Sequence, residues 1–430
     1  MIVPSIDLMN GNAVQLVGGE RMEIDAGDPR PILERFSVAG EVAVIDLDAA
    51  LGQGSNARVI EELCSMGRCR VGGGIRDVDA AVRWLDAGAS KVILGTAAVP
   101  ELVSQLPRDR VIAALDARDG EVVDRGWTRR TGATVFERME ALRDHVGGFL
   151  VTTVEREGRL GGADIELAVQ LVQRAGDARV TLAGGVTTPG EIAELDRIGC
   201  DAQVGMALYS GRMDLGAAVA APGVSDRRDG LFPTTICDER GVLLGLVYSN
   251  TESVREAIER RRGIYHSRKR GLWVKGASSG DTQQLLGVDW DCDRDCLRFT
   301  VRQAGRGNCH LGSRSCWGSD TGLGALERRL IAQQNGSDER SYTKRLLTEP
   351  GLLDAKLIEE ASELVAAETD ADVIHEAADV LFFVLAALRR SGLTLEAVER
   401  ELDRRALRVT RRRGDAKPAV LPSNTSGEQS

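Results

Sequence analysis

The chain has 430 residues, 43% of them hydrophobic but only 4% aromatic, a length that suits two to four domains with cores of Leu, Val, Ile and Ala. A formal net charge of -10 disfavours a nucleic-acid surface, which needs a basic patch, and no apolar run approaches the roughly 20 residues that span a bilayer. The first residues carry Asp7 and no basic region, unlike a signal peptide, and the cysteines between 292 and 316 sit among carboxylates, which points to metal rather than disulfides and to a reducing, cytoplasmic setting.

Residues 1–222 alternate short apolar strands with helical stretches. Strands are expected at 2–6, 42–47, 70–71, 91–94, 111–115, 148–152, 180–182 and 202–204, a pattern that predicts a (β/α)8 barrel. Polar or glycine-rich residues follow each strand, and in such a barrel all would lie at the C-terminal mouth. Asp7 and Asp116, ending the first and fifth strands, would face one another there and suit acid–base chemistry with one carboxyl protonated and one not. Each alone also reads as a loop cap. Gly184, Gly185 and Gly205 offer backbone N–H groups to one phosphate, and Gly74, Gly95 and Thr96 to a second, which implies a long substrate with two phosphates. The text Gly72-Gly73-Gly74-Ile75 is echoed by Ala183-Gly184-Gly185-Val186, a hint of a duplicated half-barrel.

After a polar stretch at 223–229 the pattern changes to a small α+β unit, placed at 228–320. Strands are expected at 234–237, 242–248 and 297–302 and a helix at 253–262. Asp291, Asp293 and Asp295 alternate with Cys292 and Arg294, and on a strand the three carboxylates would share a face that asks for a hard cation such as Mg²⁺. Cys292, Cys309 and Cys316 supply three thiolates, a set that suits a water-activating Zn²⁺ with an open position; the plainer alternative is buried thiols beside an acidic loop. On the same strand Cys296 would share a face with Cys292, as a rival ligand or a bystander. Glycine- and serine-rich turns with Arg268, Lys275, Ser279 and Gly280 would cradle a phosphate.

Beyond a second linker at 318–322 the chain reads as helical from 323 to 407, with helices expected at 323–335, 341–348, 352–367, 371–391 and 395–405. Glu359, Glu360 and Glu363 cluster on one helix, and Glu376 and Asp379 on the next. A charged surface helix explains either cluster alone; two clusters on consecutive helices fit Mg²⁺ held against a polyphosphate. Residues 408–430, with Arg411-Arg412-Arg413, read as a disordered tail.

Three family resemblances give these segments a common sense. Tyr265-His266-Ser267-Arg268, Leu272-Trp273-Val274-Lys275-Gly276, Asp291-Cys292-Asp293-Arg294-Asp295 and Cys309-His310-Leu311-Gly312 through Cys316 closely resemble phosphoribosyl-AMP cyclohydrolase. That family opens the adenine ring of phosphoribosyl-AMP. The resemblance implies Zn²⁺ on Cys292, Cys309 and Cys316, gathered across a homodimer, Mg²⁺ on Asp291, Asp293 and Asp295, substrate contact by Trp273, and proton transfer by His310. Ser341-Tyr342-Thr343, Lys356 with Glu359-Glu360 and Glu363, and Glu376-Ala377-Ala378-Asp379 resemble phosphoribosyl-ATP pyrophosphohydrolase, an all-α MazG-like fold that dimerises. There the five carboxylates would hold Mg²⁺ and place water, and Lys356, with Lys344 and Arg345, would contact phosphates.

Pro4-Ser5-Ile6-Asp7-Leu8, Gly72-Gly73-Gly74-Ile75-Arg76, Leu115-Asp116-Ala117-Arg118 and Gly126-Trp127 resemble the histidine-pathway isomerase that acts on the cyclohydrolase product. Asp7 would be its general base, Asp116 its general acid, and Thr152 would assist. Gln15 stands where an Arg is common, Glu157 where an Asp is, and Met206 where an Arg often follows the glycine. The expectation is a multifunctional enzyme on phosphoribosyl nucleotides, a homodimer without nucleic-acid or membrane partners. The alternative is a bifunctional enzyme with the barrel as scaffold or binding module.

Overall fold

The structure is a computed structural model that describes residues 1–410 apart from 20, 125, 126, 128, 319 and 337–340. The Arg411-Arg412-Arg413 tail and Gly126 therefore lie outside the described residues.

Eight parallel strands close into a barrel: β1 Ile2–Met9, β2 Val42–Asp46, β3 Cys69–Gly72, β4 Lys91–Leu94, β5 Val111–Arg118, β6 Gly148–Thr153, β7 Arg179–Ala183 and β8 Cys200–Val204. They pair in chain order, and pairing of β8 with β1 completes the ring. The near-continuous apolar runs follow from burial on both faces, by helices outside and by barrel-filling side chains such as Ile93, Ile112 and Leu150 inside. Two antiparallel strands, Asn12–Val17 and Arg21–Gly27, extend β1 above the mouth.

The half-barrel echo has a structural counterpart. Gly73 and Gly184 take φ of +95° and +91°, and Gly74 and Gly185 take +69° and +87°. A Cβ on Gly73 would fall 2.2 Å from the carbonyl oxygen of Asp46, at the end of β2, and one on Gly184 would fall 2.7 Å from that of Thr153, at the end of β6. Each glycine tucks its backbone under the end of a neighbouring strand, where no side chain fits.

The α+β region has a four-stranded sheet of β9 Phe232–Cys237, β10 Leu243–Ser249, β13 Gln283–Trp290 and β14 Leu297–Gln303, plus a hairpin of β11 Ile264–Ser267 and β12 Gly271–Val274. Strands β11, β12 and β13 were not foreseen: the two hairpin strands are only four residues each, and in the eight-residue β13 a bulge between Leu285 and Gly287 interrupts the alternation. Helices α1 Gly322–Asn335, α2 Tyr342–Thr348, α3 Pro350–Ala366, α4 Asp370–Arg390 and α5 Leu395–Ala406 follow, close to expectation, with Pro350 opening α3. Leu346, Leu353, Phe383 and Ala386 form a small core between α2, α3 and α4.

Two segments expected to be loose are packed. Within 223–229, the Val224 N–H donates to the carbonyl of Arg294 at 2.9 Å. At the other end, the backbone N–H groups of Val409 and Thr410 donate to Asp86 of the barrel at 2.7 and 3.1 Å.

Candidate functional sites

At the mouth of the barrel lies a cavity of about 880 Å³, lined by Asp7, Gly74, Gly95, Thr96, Asp116, Thr152 and Gly205 among others. Thr152 sits directly beside Asp116 in the β5–β6 register. Ser5 Oγ donates to Asp7 at 3.1 Å and Gln15 Nε2 at 3.4 Å, so Gln15 fills the space between Asp7 and Gly205. Burial pushes Asp7 up to about 6, against the Ser5 hydrogen bond. Burial likewise raises Asp116, against hydrogen bonds from Trp127 and Thr152.

Sequence reasoning missed a third acid here except as a departure from a pattern. Glu157 also lines the cavity, and burial, then the charges of Asp7 and Asp116, pushes it up to about 8. At neutral pH Glu157 therefore keeps its proton while Asp7 is largely ionised, the division of labour that acid–base catalysis needs. The one sequence signal was that Glu157 stands where the isomerase pattern has an Asp; it follows the 3-10 turn Val154–Arg156 after β6, and the path of that loop brings it over the mouth. Gly184 and Gly185 do not line the cavity. The same loop covers them, with Gly162 N–H on the Gly185 carbonyl at 3.0 Å.

In the middle region Asp291, Asp293 and Asp295 do bring carboxylate oxygens within 4.8 Å of one another, but not as a strand. They lie in the turn between β13 and β14. Asp291 Oδ1 accepts the N–H groups of both Asp295 and Cys296 at 3.1 Å, and Arg294 takes a left-handed φ of +68°. A carboxylate that caps its own following backbone favours a turn over a strand. The shared face expected for Cys292 and Cys296 disappears with the strand. Partial burial, then the charges of Asp293 and Asp291, raises Asp295, the strain that a divalent cation relieves.

Cys309 and Cys316 lie together in the loop after β14. Cys316 N–H donates to Leu244 at 2.9 Å, and Asn308 bonds both Leu244 and the Cys316 sulfur. Hydrogen bonds from Leu311, Ser313 and Cys316, and the charge of Lys275, hold Cys309 down, while burial and then Cys309 push Cys316 up. Lys275 is buried beside this pair rather than in an open phosphate cradle, and burial lowers its amine. His310 Nδ1 is 4.0 Å from the Cys309 sulfur. Cys292 is exposed on the acidic turn and joins no metal-sized cluster with Cys309 and Cys316 among the described residues. Arg268 stacks on Tyr248 at 4.7 Å, Trp273 packs 6.0 Å from Tyr265, and Ser279 caps Asp281 in the turn that includes Gly280.

On the helices, Glu359, Glu360 and Glu363 form one metal-sized cluster, and Glu360, Glu376 and Asp379 form another that bridges α3 and α4. Glu360 is buried at the junction. Lys356 Nζ lies 2.6 Å from Glu360 and 3.0 Å from Glu359, and these bonds push its amine up. Partial burial, then Glu363, raises Glu376. Arg345 instead pairs with Glu349 at 3.1 Å, and His375 lies exposed 3.6 Å from Asp379.

Comparison with known proteins divides the chain in the same order. Residues 1–214 match the family Histidine biosynthesis protein, 245–318 match Phosphoribosyl-AMP cyclohydrolase and 323–406 match Phosphoribosyl-ATP pyrophosphohydrolase. A Histidine biosynthesis trifunctional protein of Neurospora crassa is 37% identical over 351 residues, 80% of this chain and 38% of the relative. A Histidine biosynthesis bifunctional protein of Schizosaccharomyces pombe is 51% identical over 195 residues, 45% of this chain and 47% of the relative. The chain thus spans less than half the length of these two multifunctional relatives. A phosphoribosyl imidazole-4-carboxamide isomerase of Haloarcula marismortui is 41% identical over 239 residues, 52% of this chain and 97% of the relative. The chain belongs to the histidine biosynthesis family, with an isomerase-type barrel followed in series by segments of the cyclohydrolase and pyrophosphohydrolase families.

Proposed function

We propose that this polypeptide carries three steps of histidine biosynthesis, in the reverse of chain order. The helical region removes pyrophosphate from phosphoribosyl-ATP, the middle region opens the adenine ring of phosphoribosyl-AMP, and the barrel isomerises the resulting aminoaldose to an aminoketose. The observation that carries this reading is that each of three serial family matches presents its own cluster of the side chains its reaction needs.

In the barrel, Asp116 or Glu157 gives a proton to the ring oxygen as the C1–O bond opens to an iminium, Asp7 takes the proton from C2, and the resulting enol becomes the ketone as C1 takes up a proton. Gly74, Gly95, Thr96 and Gly205, which line the cavity, are the residues for the two phosphates. In the middle, Cys309 and Cys316 of one subunit, with Cys292 of a second copy, are the thiolate set for Zn²⁺. The exposure of Cys292, apart from the other two, favours such sharing. Zinc would supply an activated water and magnesium would offset phosphate charge. His310 moves protons at the ring, and Asp291, Asp293 and Asp295 form the Mg²⁺ site. On the helices, Glu359, Glu360, Glu363, Glu376 and Asp379 hold Mg²⁺, and Lys356 leaves its carboxylate partners for a phosphate.

The setting is cytoplasmic, and no helix among the described residues is long and apolar enough to cross a membrane. A second reading, in which the barrel is only a scaffold, is favoured by Gln15, which leaves Asp7 beside a neutral amide where the isomerase pattern has an Arg.

The test is to feed phosphoribosyl-ATP to the purified chain and follow pyrophosphate, ring-opened aminoaldose and aminoketose. All three are expected. Accumulation of the aminoaldose without ketose would sink the isomerase assignment and leave the two hydrolytic ones standing.

A further inference from the structure

The acidic turn of the middle region is fastened to the barrel at several points. Trp290, the last residue of β13, donates its indole N–H to the carbonyl of Val219 at 2.7 Å, and its ring packs edge-on to Phe232 at 4.8 Å. Gly223 lies so close under that ring that a Cβ there would be 2.4 Å from it. Arg294, inside the turn, is held through backbone and side chain alike. Its carbonyl accepts the N–H of Val224, and its Nη1 donates to the carbonyl of Asp291 at 2.7 Å. Its Nε and Nη2 grip the two oxygens of Asp196 at 2.8 and 3.0 Å, in a pair whose side chains are 18% and 6% exposed.

Both partners stand where they are unfavourable alone. Asp196 lies in the last turn of the helix Pro189–Arg197, where a negative charge opposes the helix dipole. Arg294 holds a left-handed conformation that is unfavourable for a non-glycine residue. Their bidentate bond, largely shielded from water, offsets both. Through Nη1 the same guanidinium holds the carbonyl of Asp291, so one side chain ties the first residue of the turn to the barrel.

We propose that Asp196 of the barrel, acting through Arg294, is a positioning residue that holds the three carboxylates of the acidic turn in their convergent arrangement. The barrel then supports the second hydrolytic site whatever its own activity. The inference uses the reading of the turn as a divalent-cation site, and the test separates the two.

Mn²⁺ is titrated into the full chain and followed by electron paramagnetic resonance, and the site that Asp293→Asn removes is taken as the turn. Asp196→Asn and Arg294→Gln are each expected to weaken that site about tenfold, as loss of a ligand-orienting partner does. The double variant should be no weaker than either single one, and Asp196→Glu should recover most of the affinity. Sites on the helices stay unchanged. Without metal, hydrogen exchange at the Asp295 and Cys296 amides should speed up about tenfold in both single variants.

Asp196 also bonds the amino group of Met1. Arg294→Gln leaves that contact intact and decides the matter if Asp196→Asn fails to fold. Unchanged exchange together with unchanged Mn²⁺ affinity overturns the proposal. If Asp293→Asn removes no site from the parent, the cation reading of the turn fails, and the exchange rates alone then judge the clamp.

Discussion

The barrel mouth and the middle region solve the problem of gathering polar groups in opposite ways. In the mouth, Asp7, Asp116 and the stretch that carries Thr152 and Glu157 come from three distant parts of the chain, yet one closed barrel buries them around one cavity. In the middle, Asp291–Asp295 and Cys309–Cys316 come from neighbouring loops of a small sheet, yet Cys292 stays apart from the other thiols. A barrel closes on itself and needs no second copy. The four-stranded sheet keeps open edges, and its acidic turn and its cysteine loop stay separate within one copy.

The sharpest test of this contrast is Asp7→Asn. It should lower isomerisation about a thousandfold, within the usual range for a lost general base, and leave ring opening within about twofold. A matching loss of ring opening, read in the same product assay, would mean that the two regions are not independent sites. Activity of the parent barrel should also fall as the pH drops through about 6, where Asp7 takes up its proton.

Subunit mixing probes the other side. Cys292→Ala and Cys309→Ala should each be inactive in ring opening. Unfolded together and refolded, they should recover about a quarter of parent activity, because half the dimers are mixed and each mixed dimer has one intact shared site. No recovery, with mixed dimers demonstrated by mass spectrometry, would place all three thiolates in one chain.

The smallest effect concerns the cost of burying three acids. Between the ordinary 4.5 of Glu157 and its folded value of about 8, the folded chain holds a proton that the unfolded chain lacks, so stability falls as pH rises through that window. Glu157→Gln should therefore raise the melting temperature clearly at pH 9 and change it little at pH 5. An equal change at both pH values would mean that Glu157 is ionised throughout.

Much of this molecule could be read directly. The strand ends that carry Asp7, Asp116 and Thr152 follow from an alternation of apolar runs that burial on both faces of a parallel sheet enforces. The helical clusters were legible because residues a turn apart on a helix are neighbours in space whatever surrounds them. The acidic turn was legible in composition but not in conformation: alternating Asp looks like a strand, and only the capping by Asp291 and the left-handed Arg294 make it a turn.

By itself, the sequence determined the order of the three regions, the barrel class and the inventory of reactive side chains, since periodicity and composition act over short stretches of chain. Only the tertiary structure decided that Glu157 shares the mouth with Asp7 and Asp116, that Lys275 lies buried beside two thiols, and that Arg294 reaches Asp196 in another region. Those relations join residues that no local pattern connects. They depend on where loops cross and how two folded regions pack, which is settled by burial and charge pairing over the whole molecule.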